Sequence, residues 1–405
     1  MYKPITLAIL LLTLFTACKK DIPSDDAGKG LDLTATEQQK VAADNTFSLK
    51  LFNKTLGTIT DDKNLFLSPL SVSMAIGMTS NGAAGQTLHD IRSTMNFNNF
   101  TEDQVNTYYH KLITQLPDLD SKATVKIANS IWYTNAFTPL PAFLQVNQAN
   151  YDAKIQSADF SSQATKDAIN KWVNDATDGN IPAIVDQIPS DVVMYLINAI
   201  YFKSNWAAKF DASKTHKANF YLKGGGTVQA DMMSGEVTFN TVSANDAKVI
   251  ELPYANKSFS MVFLSPTDKS VKEYAATLDS VKWKGLMAGL TKTNGLVTIP
   301  KFKFSYSITL NGLLKSMGMD IAFSDAADFT RINAAGNLKI TEVKHKAYIE
   351  VNEDGTKAAA ATSVSVGITA VNPNQFRFDH PFIFAIREIK TGLVLFAGVV
   401  NDPTK

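Results

Sequence analysis

Apolar residues recur at helical spacing in the early part of the chain, and the pattern changes farther along. The positions that share the helical spacing are Val41, Phe47, Leu51 and Leu56. They predict a helix, and the segment 64–70 (NLFLSPL) follows it with a short strand and a proline turn. A second helix is predicted over 72–78, behind Ser71, and the glycines within 81–85 end it.

Later stretches are rich in β-branched and aromatic residues and predict strands. These strands are expected at 125–133, 192–202, 248–252, 260–264, 296–304 and 338–351. Because helices come first and strands follow without regular alternation, we expect an α+β fold with large, mainly antiparallel sheets. From residue 37 onward no linker or repeat is large enough to separate domains.

The N-terminus has the pattern of a secretory signal peptide, residues 1–17. Lys3 precedes an apolar run over 5–15, which is shorter than the ~20 residues that cross a bilayer as a helix. The sequence Phe-Thr-Ala-Cys at 15–18 resembles a bacterial lipobox, which would make Cys18 the lipidated first residue of the mature protein. We therefore expect a secreted lipoprotein with the membrane as a partner, at the cell surface or on the outer membrane, where the periplasmic face is the alternative. Residues 18–37 are polar and predict a flexible tether.

The composition of the chain disfavours or excludes several classes of partner and site. The chain has 39 basic and 38 acidic residues, and this balance disfavours nucleic acid as a partner. A single cysteine excludes a disulfide framework and a zinc site built from several thiolates. We expect a globular protein that needs no cofactor.

Motifs of catalysis and metal binding are not found. HExxH, GxSxG and GxxxxGK[ST] are absent, and the run Gly224 to Gly226 is best explained as a hairpin turn. No two of the five histidines are at i, i+4 spacing, and His345 is interpreted as a buried structural residue. A serine protease triad scattered through the chain stays open, since such triads are recognised by geometry and not by order.

The segment 350–381 departs from the usual composition of a loop and has the alternating pattern of a strand. Polar and apolar residues alternate over 362–367, and this register places Thr356, Ala358 and Ala360 on one uncharged face. Lys357 falls on the opposite face. Four consecutive alanines have weak strand propensity. Their value would be their small size, because small side chains fit between existing strands with little steric cost. On composition alone, an alanine-rich connector or a short helix before a permanent strand explains the segment equally well.

Five segments, in the correct order, resemble signatures of the serpin family, and the likeness extends from about residue 38 to residue 403. They are NLFLSPLS at 64–71, SNGAAG at 80–85, NAIYFK at 198–203 with Trp206, HKAYIEVNEDG at 345–355 and HPFIF at 380–384. The resemblance implies one domain over 38–405, with three β-sheets, about nine helices and an exposed reactive-centre loop over about 353–376. It implies a monomeric protease inhibitor and not an enzyme. A target serine protease would cut the loop and form an acyl-enzyme, and the loop would then insert into the central sheet and trap the protease.

The resemblance also assigns roles to residues. The hinge of the loop is Glu353, Asp354, Gly355, Thr356, Ala358, Ala359, Ala360 and Ala361. The shutter, where the central strands part, is Ser68, Ser71, Asn198 and His345, and Trp206 belongs to the breach, where the loop first inserts.

The cleaved bond has three candidates. Counting about fourteen residues from Gly355 places it between Thr369 and Ala370. Counting back from residue 381 gives Ala370 and Val371, and Ile368 with Thr369 is the third pair. None places a basic or aromatic residue before the cut, so elastase-like or subtilisin-like serine proteases are favoured, with cysteine proteases as a further class to test.

Two other functions compete with inhibition. A serpin that does not inhibit could serve as a binding or chaperone module, but the small, uncharged alanine hinge favours inhibition. A secreted hydrolase is disfavoured by the missing catalytic motifs.

Overall fold

The computed structural model describes residues 28–60, 62–356 and 374–405. The predicted signal peptide 1–17 and Cys18 lie outside these described residues. The described helices are α1 Ala35–Thr58, α2 Pro69–Ser80, α3 Gly85–Thr94, α4 Glu102–Gln115, α5 Pro141–Tyr151, α6 Gln163–Ala176, α7 Val271–Ala276, α8 Ser280–Ala288 and α9 Asn311–Leu314.

The described strands are more numerous than the helices and mostly follow them in the chain. They are β1 Leu65–Leu67, β2 Ala123–Thr134, β3 Lys154–Ala158, β4 Met194–Asn205, β5 His216–Tyr221, β6 Thr227–Ala244, β7 Ala247–Pro253, β8 Phe259–Pro266, β9 Thr291–Pro300, β10 Phe302–Thr309, β11 Lys344–Val351, β12 Gly355–Thr356, β13 Gln375–Arg377, β14 Phe382–Glu388 and β15 Val394–Val400. The α+β fold is confirmed.

Two hydrogen-bonded sheets organise these strands. The first has six strands in the order β10, β11, β12, β4, β2, β3. The second has nine, in the order β1, β15, β14, β8, β7, β6, β9, β13, with β5 paired to β6. Neighbouring strands are antiparallel except for β2 with β3 and β13 with β9. The large sheets are therefore mainly antiparallel, as predicted.

The 18-residue strand β6 joins two of the three expected sheets into one network. Its first part pairs with β5 across the turn that holds Gly224 to Gly226, which confirms the predicted hairpin. Its middle pairs with β9, and its last residues pair with β7. A strand of this length can belong to a sheet at each of its ends.

Helix α2 begins earlier than the sequence pattern predicts. Ser68 is its N-cap and Pro69 its first residue, whereas the prediction placed the start behind Ser71. Proline suits the first helical position because its missing N–H would have no partner inside the helix. Helix α2 is buried along nearly its whole length, and it lies against β4 and β15.

Two predicted strands differ from the structure by more than a few residues at an end. The strand expected over 296–304 is divided after Pro300 into β9 and β10. The strand expected over 338–351 begins only at Lys344, because the residues before it bond to the α9 region instead, as the hydrogen bond from Leu310 to Val343 shows.

The folded body begins upstream of the predicted start at residue 38. Helix α1 starts at Ala35, where Thr34 and Glu37 form a reciprocal capping box. Leu31 and Leu33, ahead of the helix, are buried in the main hydrophobic core. The last residues of the predicted tether therefore belong to the folded body.

Candidate functional site

The short strand β12 lies between two long strands at the centre of the six-stranded sheet. Thr356 pairs with Ser204 of β4 and with Val351 of β11, antiparallel on both sides. Among the described residues, β12 alone connects β4 to β11. The two long strands therefore run in the same direction, and a strand between them can form ladder hydrogen bonds on both of its edges.

The predicted hinge begins in a tight turn between β11 and β12. The backbone N–H of Asn352 donates to the carbonyl of Gly355 at 2.9 Å, and the N–H of Gly355 donates back to the carbonyl of Asn352 at 3.2 Å. The side-chain oxygen of Asn352 also accepts from the N–H of Asp354 at 3.1 Å. Glu353 and Asp354 are thus the two corner residues at which the chain reverses direction.

Lysines from neighbouring segments hold both hinge carboxylates. Glu353 lies 3.0 Å from the Nζ of Lys301 and accepts from the hydroxyl of Thr215 at 2.8 Å. Asp354 lies 2.6 Å from the Nζ of Lys209. Partial burial acts to raise the pKa of Glu353, but the hydrogen bonds from Thr215 and Lys301 outweigh it and lower that pKa. Glu353 is therefore ionised at neutral pH, and the turn is fixed by charge-assisted contacts.

Gly355 occupies a position that accepts no side chain. Its φ of +155° is one that residues with a Cβ rarely adopt. A Cβ placed here would lie 2.1 Å from the carbonyl oxygen of Ser204 and 2.6 Å from the Cα of Asn205. Both contacts are with the backbone of β4, so the close approach of β12 to β4 depends on this glycine.

Thr356 faces the core, as the alternation in the sequence predicts. Its side chain is buried, and its hydroxyl lies 2.5 Å from that of Tyr254. Tyr254 stacks on Trp206 with the ring centroids 4.6 Å apart. The indole N–H of Trp206 donates to the carbonyl of Asn352 at 3.0 Å, and its backbone N–H donates to that of Asp354 at 2.7 Å. Trp206 therefore braces the turn at which β12 begins, and its assignment to the breach stays a prediction.

Ser68 and His345, two of the predicted shutter residues, are joined by a buried hydrogen bond. The backbone N–H of Ser68 donates to Nε2 of His345 at 3.0 Å. The hydroxyl of Ser68 donates to the carbonyl of Leu395 at 2.9 Å and accepts from the N–H of Ser71 at 3.2 Å. The start of α2 is thereby fixed to both sheets, since His345 belongs to β11 and Leu395 to β15.

His345 is neutral in the folded protein. Burial lowers its pKa from 6.5 to about 4. Because Nε2 accepts a hydrogen bond, the ring proton is on Nδ1. The interpretation of this residue as a buried structural histidine is thus supported by its surroundings.

Ser71 and Asn198, the other two predicted shutter residues, connect α2 to the middle of β4. The hydroxyl of Ser71 donates to the carbonyl of Asn198 at 3.3 Å. The side-chain N–H of Asn198 donates at 2.7 Å to the side chain of Asn129, which lies directly opposite on β2. The side-chain oxygen of Asn198 is buried and has no hydrogen-bond partner among the described residues.

A cavity of about 570 Å³ separates the first halves of β4 and β11. Ser71, Asn198 and His345 line it, together with residues 194–197 and 343–346 of the flanking strands and their approaches. The structure therefore brings three of the four shutter residues to one cavity, while Trp206 stands at the opposite end of the same strands.

Several residues of this region were missed in the sequence. Tyr254, Asn129, Lys209 and Lys301 all contact predicted site residues but lie far from them in the chain. Only Asn129 gave a signal, because it falls within the predicted strand 125–133 and an amide that is buried in a sheet needs a partner.

The remaining predicted site residues lie outside the described residues. These are the hinge residues Ala358, Ala359, Ala360 and Ala361 and the candidates for the cleaved bond, Ile368, Thr369, Ala370 and Val371. Their roles stay predictions. Within the described ranges, no three His, Cys, Asp or Glu side chains are grouped as a metal site would require.

Comparison with known proteins agrees with this geometry. The family model described as serpin (serine protease inhibitor) matches residues 42–403. The leukocyte elastase inhibitor of Sus scrofa is 33% identical over 382 residues, which cover 90% of this chain and all of that protein.

Solved structures give the same result. The native state of tengpin, a thermophilic serpin, matches with a TM-score of 0.84 at 34% identity and covers 93% of this chain and 97% of its own. Human thyroxine-binding globulin in complex with its ligand also has a TM-score of 0.84, at 29% identity over 92% of this chain and all of its own. The chain therefore belongs to the serpin family.

Proposed function

We propose that this protein inhibits serine proteases as a suicide substrate. The protease cuts the loop that follows Thr356 and remains bound to it as an acyl-enzyme. The cut loop then continues strand β12 between β4 and β11, and the attached protease is displaced before it can deacylate. The protein acts as a monomer, uses no cofactor and is consumed in one turnover.

The observation that carries the proposal is the position of β12. It is already antiparallel to both neighbours, and it pairs with the last two of the 12 residues of β4. A strand that continued in its direction would have ten more residues of β4 to pair with and would lead to the cavity beside Asn198 and His345. The buried side-chain oxygen of Asn198 lies along this path as a free acceptor.

The proposed target class is elastase-like or subtilisin-like. The candidate residues before the cut, Ile368, Thr369 and Ala370, are small or aliphatic and fit a small apolar specificity pocket. A relative that covers 90% of this chain bears the name leukocyte elastase inhibitor, which supports the same class.

The test is a gel of the protein after incubation with elastase. We expect an SDS-stable adduct with the combined mass of the protease and the inhibitor without its C-terminal fragment. Mass spectrometry of the released fragment identifies the cleaved bond, and cleavage solely outside 368–371 would refute the assignment. Cleavage without an adduct would indicate a non-inhibitory serpin.

We further propose that the protein is a bacterial lipoprotein anchored through Cys18. The proposed anchor is a pair of acyl chains on the cysteine. Among the described residues, no helix is long and apolar enough to cross a membrane. Replacement of Cys18 by alanine should move the protein from the membrane fraction to the soluble fraction. An unchanged distribution would refute the anchor.

A further inference from the structure

A second cavity, of about 500 Å³, lies apart from the central sheet. It forms where the end of α1, the turn between β5 and β6, strand β7, the connection from β8 to α7 and the segments next to β14 and β15 meet. Its volume is within the range of small-molecule binding pockets. None of the proposed steps of protease inhibition uses it.

The charged side chains around this second cavity are predominantly basic. Five of its lining residues are lysine or arginine, and they come from four separate segments: Lys223, Lys248, Lys269, Lys272 and Arg377. Asp268 is the one carboxylate among the described residues that line the cavity. The whole chain has a net charge of only +1, so this concentration of positive charge is local.

The other acidic groups nearby are engaged with partners of their own. Asp379 pairs with Arg377 at 2.6 Å and with His380 at 2.7 Å. Asp246 pairs with Lys282 at 2.6 Å, and the carboxylate of Glu273 caps α7 through Ser270. The pair with Asp379 partly neutralises the charge of Arg377. Lys248 and Lys269, by contrast, are exposed at the cavity.

The walls between the basic groups are suited to the uncharged, hydroxyl-bearing part of a ligand. Leu56 and Val271 are buried apolar residues of the wall, and Pro266 and Pro381 add further apolar surface. Ser265, Thr267 and Asn401 provide side chains that can donate or accept hydrogen bonds. Ligand pockets combine apolar walls with a few convergent polar groups in this way.

We propose that this cavity binds a small ligand that carries a phosphate or sulfate group on a sugar-like body. The anionic group would be held by Lys248 and Lys269, whose positive charges attract it. The apolar wall and the hydroxyl groups would contact the remainder. This inference does not depend on protease inhibition, because it concerns a different part of the molecule.

The test uses isothermal titration calorimetry of the full protein with glucose 6-phosphate and glucose 6-sulfate, with glucose as the neutral control and inorganic phosphate as the bare anion. We expect both charged sugars to bind with a Kd at or below about 1 mM and at least about tenfold more tightly than inorganic phosphate, and glucose to give no heat. Raising the salt concentration from 50 to 300 mM should weaken binding several-fold, since exposed charges are screened.

Variants assign the binding to this cavity. The double variant Lys248→Ala and Lys269→Ala should raise the Kd at least about tenfold, because two of the cations would be lost. Lys122→Ala, which removes an exposed lysine remote from the lining residues, should leave the Kd unchanged. Equal binding of glucose, no binding of either charged sugar up to about 10 mM, or an unchanged Kd in the double variant would each overturn the proposal. Binding of a sulfated polysaccharide alone would also overturn it, since the proposed ligand is small.

Discussion

Gly355 is the residue at which backbone geometry limits the hinge most severely. Replacement by alanine would place a methyl group 2.1 Å from the carbonyl oxygen of Ser204. We expect Gly355→Ala to lower the free energy of unfolding by about 1–3 kcal/mol, because β12 must move away from β4. Urea unfolding measures the change. Gly224→Ala is the matched control, since no atom lies within 4 Å of its Cβ position, and it should change stability by less than about 0.5 kcal/mol. Equal effects of the two substitutions would contradict this explanation.

His345 makes the stability of the fold depend on pH. Its pKa is about 4 when folded and near 6.5 when unfolded, so between these values the unfolded chain binds a proton that the folded protein does not. The contribution of this pKa difference to the free energy of unfolding is fully present above pH 6.5. It is lost as the pH falls toward 4, and the total loss is about 3 kcal/mol. Between pH 7 and pH 5, the free energy of unfolding of the His345→Gln variant should therefore fall by about 2 kcal/mol less than that of the parent protein.

Denaturant unfolding at the two pH values tests this prediction. His110→Gln is the control, because His110 is exposed on α4 and should leave the pH dependence of the parent protein intact. If the His345 variant lost as much stability as the parent between pH 7 and pH 5, another group would be responsible.

At the scale of elements, the proposed insertion of the loop depends on the face of strand β12 that points inward. Thr356 is buried, with its hydroxyl against Tyr254, so Thr356→Arg would force a charge into the core. We expect elastase to cut this variant at a similar rate but to form little adduct with it. The number of inhibitor molecules consumed for each protease molecule trapped should rise at least about tenfold. Thr356→Ser keeps the hydroxyl and should behave as the parent protein.

A second hinge variant separates insertion from stability of the uncut fold. Ala358→Pro removes a backbone donor from the predicted inserting strand without adding charge. It should also be cut without trapping. A stable adduct at the original stoichiometry in both variants would refute the assigned hinge, and the measurement is densitometry of the gel at increasing inhibitor concentration.

The elements of this site differ in how far the sequence could predict them. The alternation that placed Thr356 inward is local, and the structure agrees with it. The start of α2 was missed, although Ser68 followed by Pro69 is a pattern typical of a helix N-terminus. The capping box of Thr34 and Glu37 was likewise a local signal that the folded body begins before residue 38.

At the scale of the whole molecule, the sequence pattern does not reveal which residues far apart in the chain contact each other. Tyr254 and Thr356 are 102 residues apart in the chain, and Asn198 and Asn129 are 69 apart. Periodicity defines each strand but not the strand it will face, so the partners under the hinge and in the shutter could not be derived from local pattern. The serpin motifs supplied the topology because they mark the segments that meet at this site.

The same topology predicts that cutting the loop makes the protein more stable. If about ten ladder hydrogen bonds form at ~1 kcal/mol each, insertion releases on the order of 10 kcal/mol, and the uncut protein is held from this state by a kinetic barrier. Elastase-cut protein should therefore unfold at a temperature about 10–15 °C higher than uncut protein in differential scanning calorimetry. Ala358→Pro, cut at the same bond as confirmed by mass spectrometry, is the control and should show no such rise. A cut parent protein that unfolds at the temperature of the uncut form would mean that the loop does not enter the sheet, and inhibition would then need another mechanism.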